Sequence, residues 1–445
     1  MRSRIRENRL YRFAYAASLI ARILTGYRLL ALRRGRMPEA EYERRLKDQH
    51  RRNAERVYKG VLHLQGLMIK IGQTIGSRAD IFPEEYVRVL VRLQDQVPPR
   101  SFRIMRPYIE RQLGAGIDDI FAEFDRKPVA AASLAQVYRA RLKDGREVAV
   151  KVVYPDSHRL VKVDLGILKA LIWLESRFNS YPLDPVYDEL AANVPLEVDM
   201  RHEAQAMEAI AAKLAHRDDV VIPQVIWDYT SDRVLTMQYI DGIKISDVDR
   251  INEAGLDGSR LFVLVAEVYL EQLLSVGHFH ADPHPGNIFA LPGNKIGLLD
   301  FGLTKQFTPE FHDAFRLTTL SMFNGDNAGF VEGMKASGFK LKHDAADSFV
   351  ASAEFFRGMA DPETYRDKEL VHALNDAWVK ASKNNPMVDM PGEMTLAMRV
   401  FFLLFGLGAT VGSNVDLSQN VIAETALRYA GEPARQQKDA RPLAV

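Results

Sequence analysis

Apolar residues recur every three or four positions through the first quarter of the chain. From Val57 onward they fall at Val61, Leu64, Met68 and Ile71, which is the spacing of an amphipathic helix. Proline is rare between residues 38 and 96, so this stretch is predicted to be helical. A second helical stretch leads from there to the glycines at 114 and 116.

The pattern changes at residue 121, where polar and apolar positions begin to alternate. Residues 137–142 alternate as a half-buried strand does, and a more apolar strand follows at 147–153. The dipeptide Asp144-Gly145 between them is a strong hairpin signal. Residues 160–179 and 186–214 read as helical, with Pro195 near a helix start, and 220–226 and 233–240 as two further strands.

After Gly242 helical patterns dominate, apart from short strand-like pieces at 288–291 and 295–299. A small β-rich lobe followed by a larger helical lobe predicts a two-lobe α+β arrangement. The predicted segments are a basic one at 1–36, the helical extension at 37–120, the lobes at 121–241 and 242–430, and a frayed polar tail at 431–445.

The composition is that of an ordinary globular protein, with 445 residues, 47% hydrophobic and 26% charged. Cysteine is absent, which excludes disulfides, thiol nucleophiles and cysteine-ligated metals. The formal charge of +1 provides no overall basic field for nucleic acid. Nucleic acid is therefore not an expected partner.

The charge is unevenly distributed along the chain. Residues 1–36 contain ten arginines and one acid, so they carry +9 and leave −8 for the rest. The apolar stretch 13–32 is long enough to span a bilayer, but Arg22 and Arg28 interrupt it and would be costly there. The sequence therefore favours either a helix lying on an anionic membrane surface or a helix whose arginines contact the protein's own acidic body.

Three separated segments carry the residues that phosphoryl transfer requires. Lys151 lies in an apolar strand, Asp282 and Asn287 follow His280 in the pattern H-x-D-x-x-x-x-N, and Asp300 opens Asp-Phe-Gly. Transfer to a hydroxyl needs a lysine on the α- and β-phosphates, a carboxylate facing the acceptor, and an asparagine and an aspartate on Mg²⁺. The order along the chain matches the protein-kinase set. ATP and Mg²⁺ are the predicted cofactors.

The glycine-rich loop expected before the lysine is replaced by an alanine-rich one. Alanines occupy the three glycine positions of the pattern before Val137, and their Cβ atoms disfavour positive φ and a tight approach to phosphate. Nucleotide handling should therefore differ from that of ordinary protein kinases. The candidate nucleotide-contacting residues of this loop are Ala130, Ala131, Ala132, Ser133, Ala135 and Val137.

Two alternative sites are disfavoured by local sequence. The histidines at 280 and 284 flank Asp282 at a metal-like spacing, but Pro283 and Pro285 exclude the helical geometry of a zinc site. The chain contains no Gly-Lys dipeptide, which excludes a Walker A loop.

These features together resemble the ABC1/UbiB/ADCK (AarF-type) family of atypical kinases. The motifs that carry the resemblance are Lys70-Ile71-Gly72-Gln73 (K-x-G-Q), Leu93-Gln94-Asp95-Gln96-Val97-Pro98-Pro99, the alanine-rich loop, Glu197-Val198-Asp199 (E-x-D), and the set Asp282, Asn287 and Asp300.

The resemblance implies an α+β, protein-kinase-like fold with an N-terminal helical extension. It also implies roles for residues that would otherwise be ordinary surface positions. Lys70 and Gln73 would lie beside Glu197 and Asp199, where a protein substrate would otherwise dock. Lys151 would pair with a carboxylate, for which Glu203 is the first choice and Glu197 the rival. The backbones of Gln238 and Ile240 would bind adenine, Asn287 and Asp300 would hold Mg²⁺, and Asp282 would face the acceptor hydroxyl or water.

The expected function is that of a Mg²⁺-dependent ATP-binding ATPase or atypical kinase supporting isoprenoid-quinone or other lipid metabolism. Two alternatives stay open: a kinase for a protein or small molecule, and a nucleotide-gated lipid-binding or scaffold protein without phosphoryl transfer. The resemblance and the basic segment predict a cytoplasmic protein, peripheral at an anionic membrane through residues 1–36. The oligomeric state does not follow from the sequence.

Overall fold

The computed structural model describes residues 8–77, 82–93, 99–175, 184–343, 345–360, 367–410 and 415–431. The chain divides into two units, Met1–Ala204 with Val225–Tyr239, and Gln205–Gln224 with Ile240–Val445. The first combines helices with an antiparallel sheet and the second is mainly helical, which confirms the predicted α+β class and the helical N-terminal segment.

Helices and strands are numbered along the chain. The helices are α1 (Arg9–Ala31), α2 (Glu39–Leu64), α3 (Leu67–Ser77), α4 (Glu84–Leu90), α5 (Phe102–Leu113), α6 (Ile117–Ile120), α7 (Ser157–Glu175), α8 (Asp184–Glu197), α9 (Met200–Lys213), α10 (Val248–Glu253), α11 (Gly258–Glu271), α12 (Pro309–Asn324), α13 (Asn327–Ala336), α14 (Asp347–Ala360), α15 (Lys368–Asn384), α16 (Gly392–Thr410) and α17 (Val415–Gly431). The strands are β1 (Phe121–Phe124), β2 (Ala130–Ala131), β3 (Ala135–Leu142), β4 (Glu147–Val153), β5 (Val220–Val221), β6 (Val234–Gln238), β7 (Ile243–Lys244), β8 (His278–His280), β9 (Ile288–Leu291), β10 (Lys295–Leu298), β11 (Thr304–Gln306), β12 (Lys340–Leu341) and β13 (Met387–Asp389).

The predicted helical extension, residues 37–120, contains helices α2 to α6, and α1 lies in the basic segment before it. The helical pattern that begins at Val57 is interrupted between α2 and α3, where Gln65 and Gly66 adopt positive φ values of 55° and 64°. A non-glycine residue rarely adopts this left-handed conformation. The link therefore turns the chain sharply just before the helix that carries Lys70.

The sheet of the first unit is antiparallel, with strand order β1-β3-β4-β6 and β2 pairing with β3. Gly145, at φ 92°, forms the predicted turn between β3 and β4. Side chains alternate across a strand, so Val148, Val150 and Val152 enter the hydrophobic core, and Lys151 lies on the opposite face. The predicted strands 137–142 and 147–153 are confirmed.

The helical prediction for residues 186–214 needs a correction. Pro195 does not start a helix but lies in the last turn of α8, and the chain begins a new helix, α9, at Met200. The side chain of Asp199 accepts hydrogen bonds from the backbone N–H groups of Arg201 (3.0 Å) and His202 (3.2 Å). Asp199 is thus the N-cap of α9.

The sheet of the second unit has the order β5-β10-β9-β7. The predicted strand 220–226 is wrong in extent, because only Val220–Val221 pairs with β10 and Pro223 has no N–H to continue a ladder. Helix α11 is buried along most of its length and continues as a π-helix, Gln272–Val276. The chain then enters β8, which pairs with β11.

Helix α1 packs against α2 and α7 with one side, and its exposed side carries both apolar residues and arginines. Within the described part of the chain, the stretch Arg9–Arg36 is the one helix long and apolar enough to cross a membrane by length and composition. An 18-residue window of this stretch has a mean hydropathy of 1.2, and 6% of that window is buried. At the other end of the chain, the predicted polar tail falls outside the described residues from position 432 onward.

Candidate active site

Lys151 of β4 forms a buried ion pair with Glu203 of α9. The distance from Lys151 Nζ to Glu203 Oε1 is 2.7 Å, and the two side chains are only 12% and 1% exposed. A carboxylate removed from water to this degree needs a cation beside it. Of the two partners considered for Lys151, the structure pairs it with Glu203 and not with Glu197.

The E-x-D motif directs its two carboxylates to different helices. Glu197, at the end of α8, binds Lys70 of α3, with 2.6 Å between Oε1 and Nζ. Asp199 caps α9, the helix that presents Glu203. The motif therefore connects the K-x-G-Q helix to the helix of the Lys151 partner, and the capping role of Asp199 was not foreseen from the sequence, although aspartate is a preferred N-cap.

Gln73, the last residue of the K-x-G-Q motif, has a backbone hydrogen-bond partner. Its side-chain amide donates to the backbone carbonyl of Leu93 at 2.9 Å, at the end of the 3₁₀ turn Val91–Leu93. The motif residues that follow, 94–98, lie outside the described residues.

The alanine-rich loop forms a short hairpin between β2 and β3, beside Lys151. Ala130 pairs with Val137, and Val137 pairs with Lys151 on the next strand. The Ala132 N–H donates to the Ala135 carbonyl at 2.8 Å and closes the turn. Non-glycine residues with positive φ occur in the described chain at positions 65, 294 and 300, so these alanines adopt ordinary conformations, as the loss of glycine predicts.

The segment predicted to bind adenine follows β6. The Tyr239 N–H donates to the Glu147 carbonyl at 3.1 Å, and Gln238 lies opposite Val148. Because successive residues of an antiparallel strand direct their backbone groups to opposite sides, the amide and carbonyl of Gln238 point away from β4. Ile240 begins the second unit.

In the second unit, His280 fixes the two segments that carry the aspartates. Its Nε2–H donates to the Asp300 carbonyl at 2.7 Å, and its Nδ1 accepts the Asp282 N–H at 3.2 Å. These two partners define the tautomer of the ring. The backbone N–H of His280 donates to the side-chain oxygen of Gln272 at 3.0 Å, so the π-helix also fixes the position of this histidine.

Asn287 and Asp300 are positioned by the turn before β9 and by the end of β10. The Leu299 N–H donates to the Asn287 carbonyl at 2.9 Å, which ties the two segments together. Asp300 adopts a φ of 62°, a strained conformation that clusters at functional sites. An amide oxygen and a carboxylate are hard ligands of the kind that Mg²⁺ takes, so this donor set fits the predicted metal.

Asp282 has a partner that the sequence did not reveal. Arg399 Nη2 of α16 lies 2.9 Å from Asp282 Oδ1, across 117 residues of chain. Asn287 Nδ2 approaches the other carboxylate oxygen at 3.4 Å. No local pattern marks Arg399, since it lies in a long apolar helix and its contact depends entirely on the tertiary fold.

His284 uses its ring to support the same turn. Its Nδ1 accepts the Gly286 N–H at 3.0 Å, in the 3₁₀ turn Pro285–Asn287. Among the residues that the structure describes, no group of three or more His, Cys, Asp or Glu side chains could hold a metal ion.

The paired Lys151 and Glu203, together with the aspartates that His280 holds, define a kinase-like protein. The sequence model of the ABC1 atypical kinase-like domain matches residues 92–334, more than half of the chain, and the chain belongs to this family.

Curated relatives are identical to the chain at about a third of the aligned positions. It is 31% identical to ACTIVITY OF BC1 COMPLEX KINASE 8, a chloroplastic protein of Arabidopsis thaliana, over 81% of the chain and 52% of that protein. It is 34% identical to mouse AarF domain-containing protein kinase 1, over 61% of the chain and 53% of that protein. The chain thus spans about half the length of these two relatives.

A solved structure shares the fold. The Mycobacterium tuberculosis protein Rv3197, determined in complex with erythromycin, superimposes with a TM-score of 0.60 at 21% sequence identity. The match covers 89% of this chain and all of that one.

Proposed function

We propose that the chain is a Mg²⁺-dependent ATP-binding enzyme, an ATPase or atypical kinase, that supports isoprenoid-quinone or other lipid metabolism at a membrane surface. The observation that carries the nucleotide part is the buried pair of Lys151 and Glu203, 2.7 Å apart. A lysine held in this way presents a fixed positive charge for the α- and β-phosphates.

The remaining nucleotide contacts follow from the two segments of the second unit and from the loop. Asn287 and Asp300 would hold Mg²⁺, which would neutralise the phosphate oxygens. The backbones of Gln238 and Ile240 would bind adenine. The alanine-rich loop would cover the phosphates less closely than a glycine loop, because every Cβ keeps the backbone at a distance.

The acceptor is proposed to be water or a small hydroxyl compound rather than a peptide. Asn287 approaches one oxygen of the Asp282 carboxylate at 3.4 Å and Arg399 lies 2.9 Å from the other, so an acceptor must fit beside both side chains, which favours a small one. The contact between Arg399 and Asp282 also favours the alternative, in which nucleotide binding switches a lipid-binding or scaffold protein without phosphoryl transfer. A carboxylate engaged by arginine is a poorer partner for an incoming hydroxyl.

Nucleotide binding by the full-length chain tests the proposal for Lys151. In calorimetric titrations with Mg-ATP, Lys151→Met should weaken affinity by about tenfold or more, because a charge-assisted contact to phosphate contributes roughly 1.5–3 kcal/mol. Glu203→Gln should cause a smaller loss, since the ammonium stays but loses its orientation. Lys143→Met, which removes an exposed lysine from the β3–β4 turn, is the matched control. Unchanged affinity in Lys151→Met would refute the role of this lysine.

The membrane part of the proposal rests on the outer face of α1. Leu10 and Leu32 are 77% and 78% exposed, and Phe13 and Leu29 are exposed with them. Arg22 and Arg28 lie on the same helix and are also exposed. Apolar side chains beside arginines are the composition of a helix lying in an anionic membrane interface, and we propose that occupant for α1.

A further inference from the structure

Arg12 of α1 is buried, although ten arginines make the N-terminal segment look like a solvated basic helix. Its guanidinium binds both carboxylate oxygens of Asp164 on α7, at 2.6 Å from Nε and 2.5 Å from Nη2. The two side chains are 1% and 0% exposed. Burial raises the pKa of the Asp164 carboxyl, and the bonds from Arg12 oppose that rise.

The same guanidinium also binds the link that precedes the K-x-G-Q helix. Arg12 Nη1 donates to the Leu64 carbonyl at 2.7 Å, and Nη2 donates to the Gln65 carbonyl at 3.3 Å. Leu64 ends α2, where backbone carbonyls have no partner within the helix. Gln65 and Gly66 are the residues with positive φ. Arg12 thus stabilises a strained turn that the local sequence does not favour.

The turn sets the position of α3, and α3 carries Lys70. Helix α3 packs against α7 and α8, and Lys70 binds Glu197 at the end of α8. The Cα of Gly66 faces Leu160 of α7, with 3.9 Å from an added Cβ to Leu160 Cδ1. Arg12 therefore joins α1, the α2–α3 link and α7 at one point, four residues before the K-x-G-Q motif begins.

We infer that Arg12 is a positioning residue, which acts through the α2–α3 link to hold the Lys70 helix against Glu197 and so adjusts nucleotide binding. The inference rests on the proposed function for its last step only. Guanidinium is suited to this role because its planar fork binds a carboxylate and two carbonyls at once, which a lysine cannot do. Helix α1 thus contributes to the geometry of the first unit.

Hydrogen exchange of the full-length chain tests the structural step without any nucleotide. Arg12→Gln should speed exchange of the α3 amides by about tenfold while β4 amides stay as in the wild type. In Arg12→Lys, the exchange rate of the α3 amides should lie between those of the wild type and Arg12→Gln. Arg22→Gln removes the same charge from an exposed position of α1 and should leave α3 unchanged. Equal α3 exchange in Arg12→Gln and Arg22→Gln would overturn the inference.

The functional step is tested by a double-mutant cycle in ATP titrations. Arg12→Gln should shift ATP affinity by about threefold, and the shift should vanish in a Lys70→Ala background, because coupled residues are not additive. A shift of equal size in both backgrounds would show that Arg12 does not act through Lys70. If the wild type binds no ATP, the proposed function fails, and hydrogen exchange still decides whether Arg12 holds α3. If Arg12→Gln does not fold, Asp164→Asn takes its place in both experiments and is judged by the same criteria.

Discussion

At the scale of the residue, two buried ion pairs fix the geometry of the first unit. Lys151 with Glu203 and Arg12 with Asp164 are each nearly or fully removed from water. Removing one partner of such a pair costs about 3–5 kcal/mol, because the other charge is left uncompensated. These pairs therefore fix positions more firmly than the exposed ion pairs of the surface, each of which contributes about 0–1 kcal/mol.

How far single residues could be predicted depended on sequence distance. The order of the motifs along the chain was enough to single out Lys151, and the family resemblance ranked Glu203 above Glu197 because Glu203 follows Pro195 on a predicted helix. Arg12 and Arg399 were not predictable as site residues, because their partners lie 152 and 117 residues away. Only the tertiary fold brings such groups together.

His278 should make the stability of the fold depend on pH. Burial, with a smaller effect of Lys213, lowers the pKa of His278 from 6.5 to about 4. Below pH 6.5 the unfolded chain therefore binds a proton that the folded chain does not, and the free energy of unfolding falls as the pH falls towards 4. The full loss is about 3 kcal/mol, and none of it is present above pH 7.

Urea unfolding at pH 7 and pH 5 measures this effect. His278→Gln should lose roughly 2 kcal/mol less stability than the wild type over that interval, because the variant has no proton to take up at this position. His372→Gln, at an exposed position of α15, should behave like the wild type. An identical pH dependence in His278→Gln and the wild type would rule out this source.

At the scale of the element, boundaries set by turn chemistry were predicted well and boundaries set by packing were not. The hairpin at Asp144-Gly145 follows from local rules, and β4 and β9 have the predicted limits. The break between α8 and α9 was not predicted. Proline favours the first turn of a helix, but Pro195 lies in the last turn of α8, and Asp199 starts the second helix. The strand at 220–226 was overextended across Pro223, because pairing with β10 ends at Val221.

Helix α1 is the element whose outer face should bind membrane. Arg22→Gln with Arg28→Gln should weaken binding of the full-length chain to anionic vesicles by about tenfold or more, since each arginine near such a surface contributes about 1 kcal/mol. Binding to zwitterionic vesicles should change little. Sedimentation with phosphatidylserine-containing and phosphatidylcholine vesicles measures both.

The control for α1 is a pair of exposed arginines elsewhere in the first unit, Arg103→Gln with Arg126→Gln, which makes the same change in net charge. If the control pair weakens binding as much as the α1 pair, the attraction is a property of total charge and not of this helix. Deletion of residues 1–36 is a poorer experiment, because it also removes Arg12 and leaves the Asp164 carboxylate buried without its cation.

At the scale of the whole molecule, the family and the α+β fold could be predicted from motifs that are separated along the chain but ordered as in kinases. The acceptor, by contrast, could not be predicted. The sequence left a protein, a small molecule and water open for Asp282, and the contacts of Arg399 and Asn287 with this carboxylate support the small acceptor that we propose. This information resides in the packing of α16, not in any motif.

Mg²⁺-dependent ATP turnover is the measurement that bears most directly on the central proposal. The full-length chain should release phosphate from ATP only with Mg²⁺, and Asp300→Asn should lower the rate by about a hundredfold or more. Asp282→Asn should retain nucleotide binding and lose turnover, whereas Asp313→Asn, at an exposed position of α12, should match the wild type. Nucleotide binding without turnover in the wild type would favour the scaffold alternative. Turnover at the wild-type rate in Asp300→Asn would contradict the proposal.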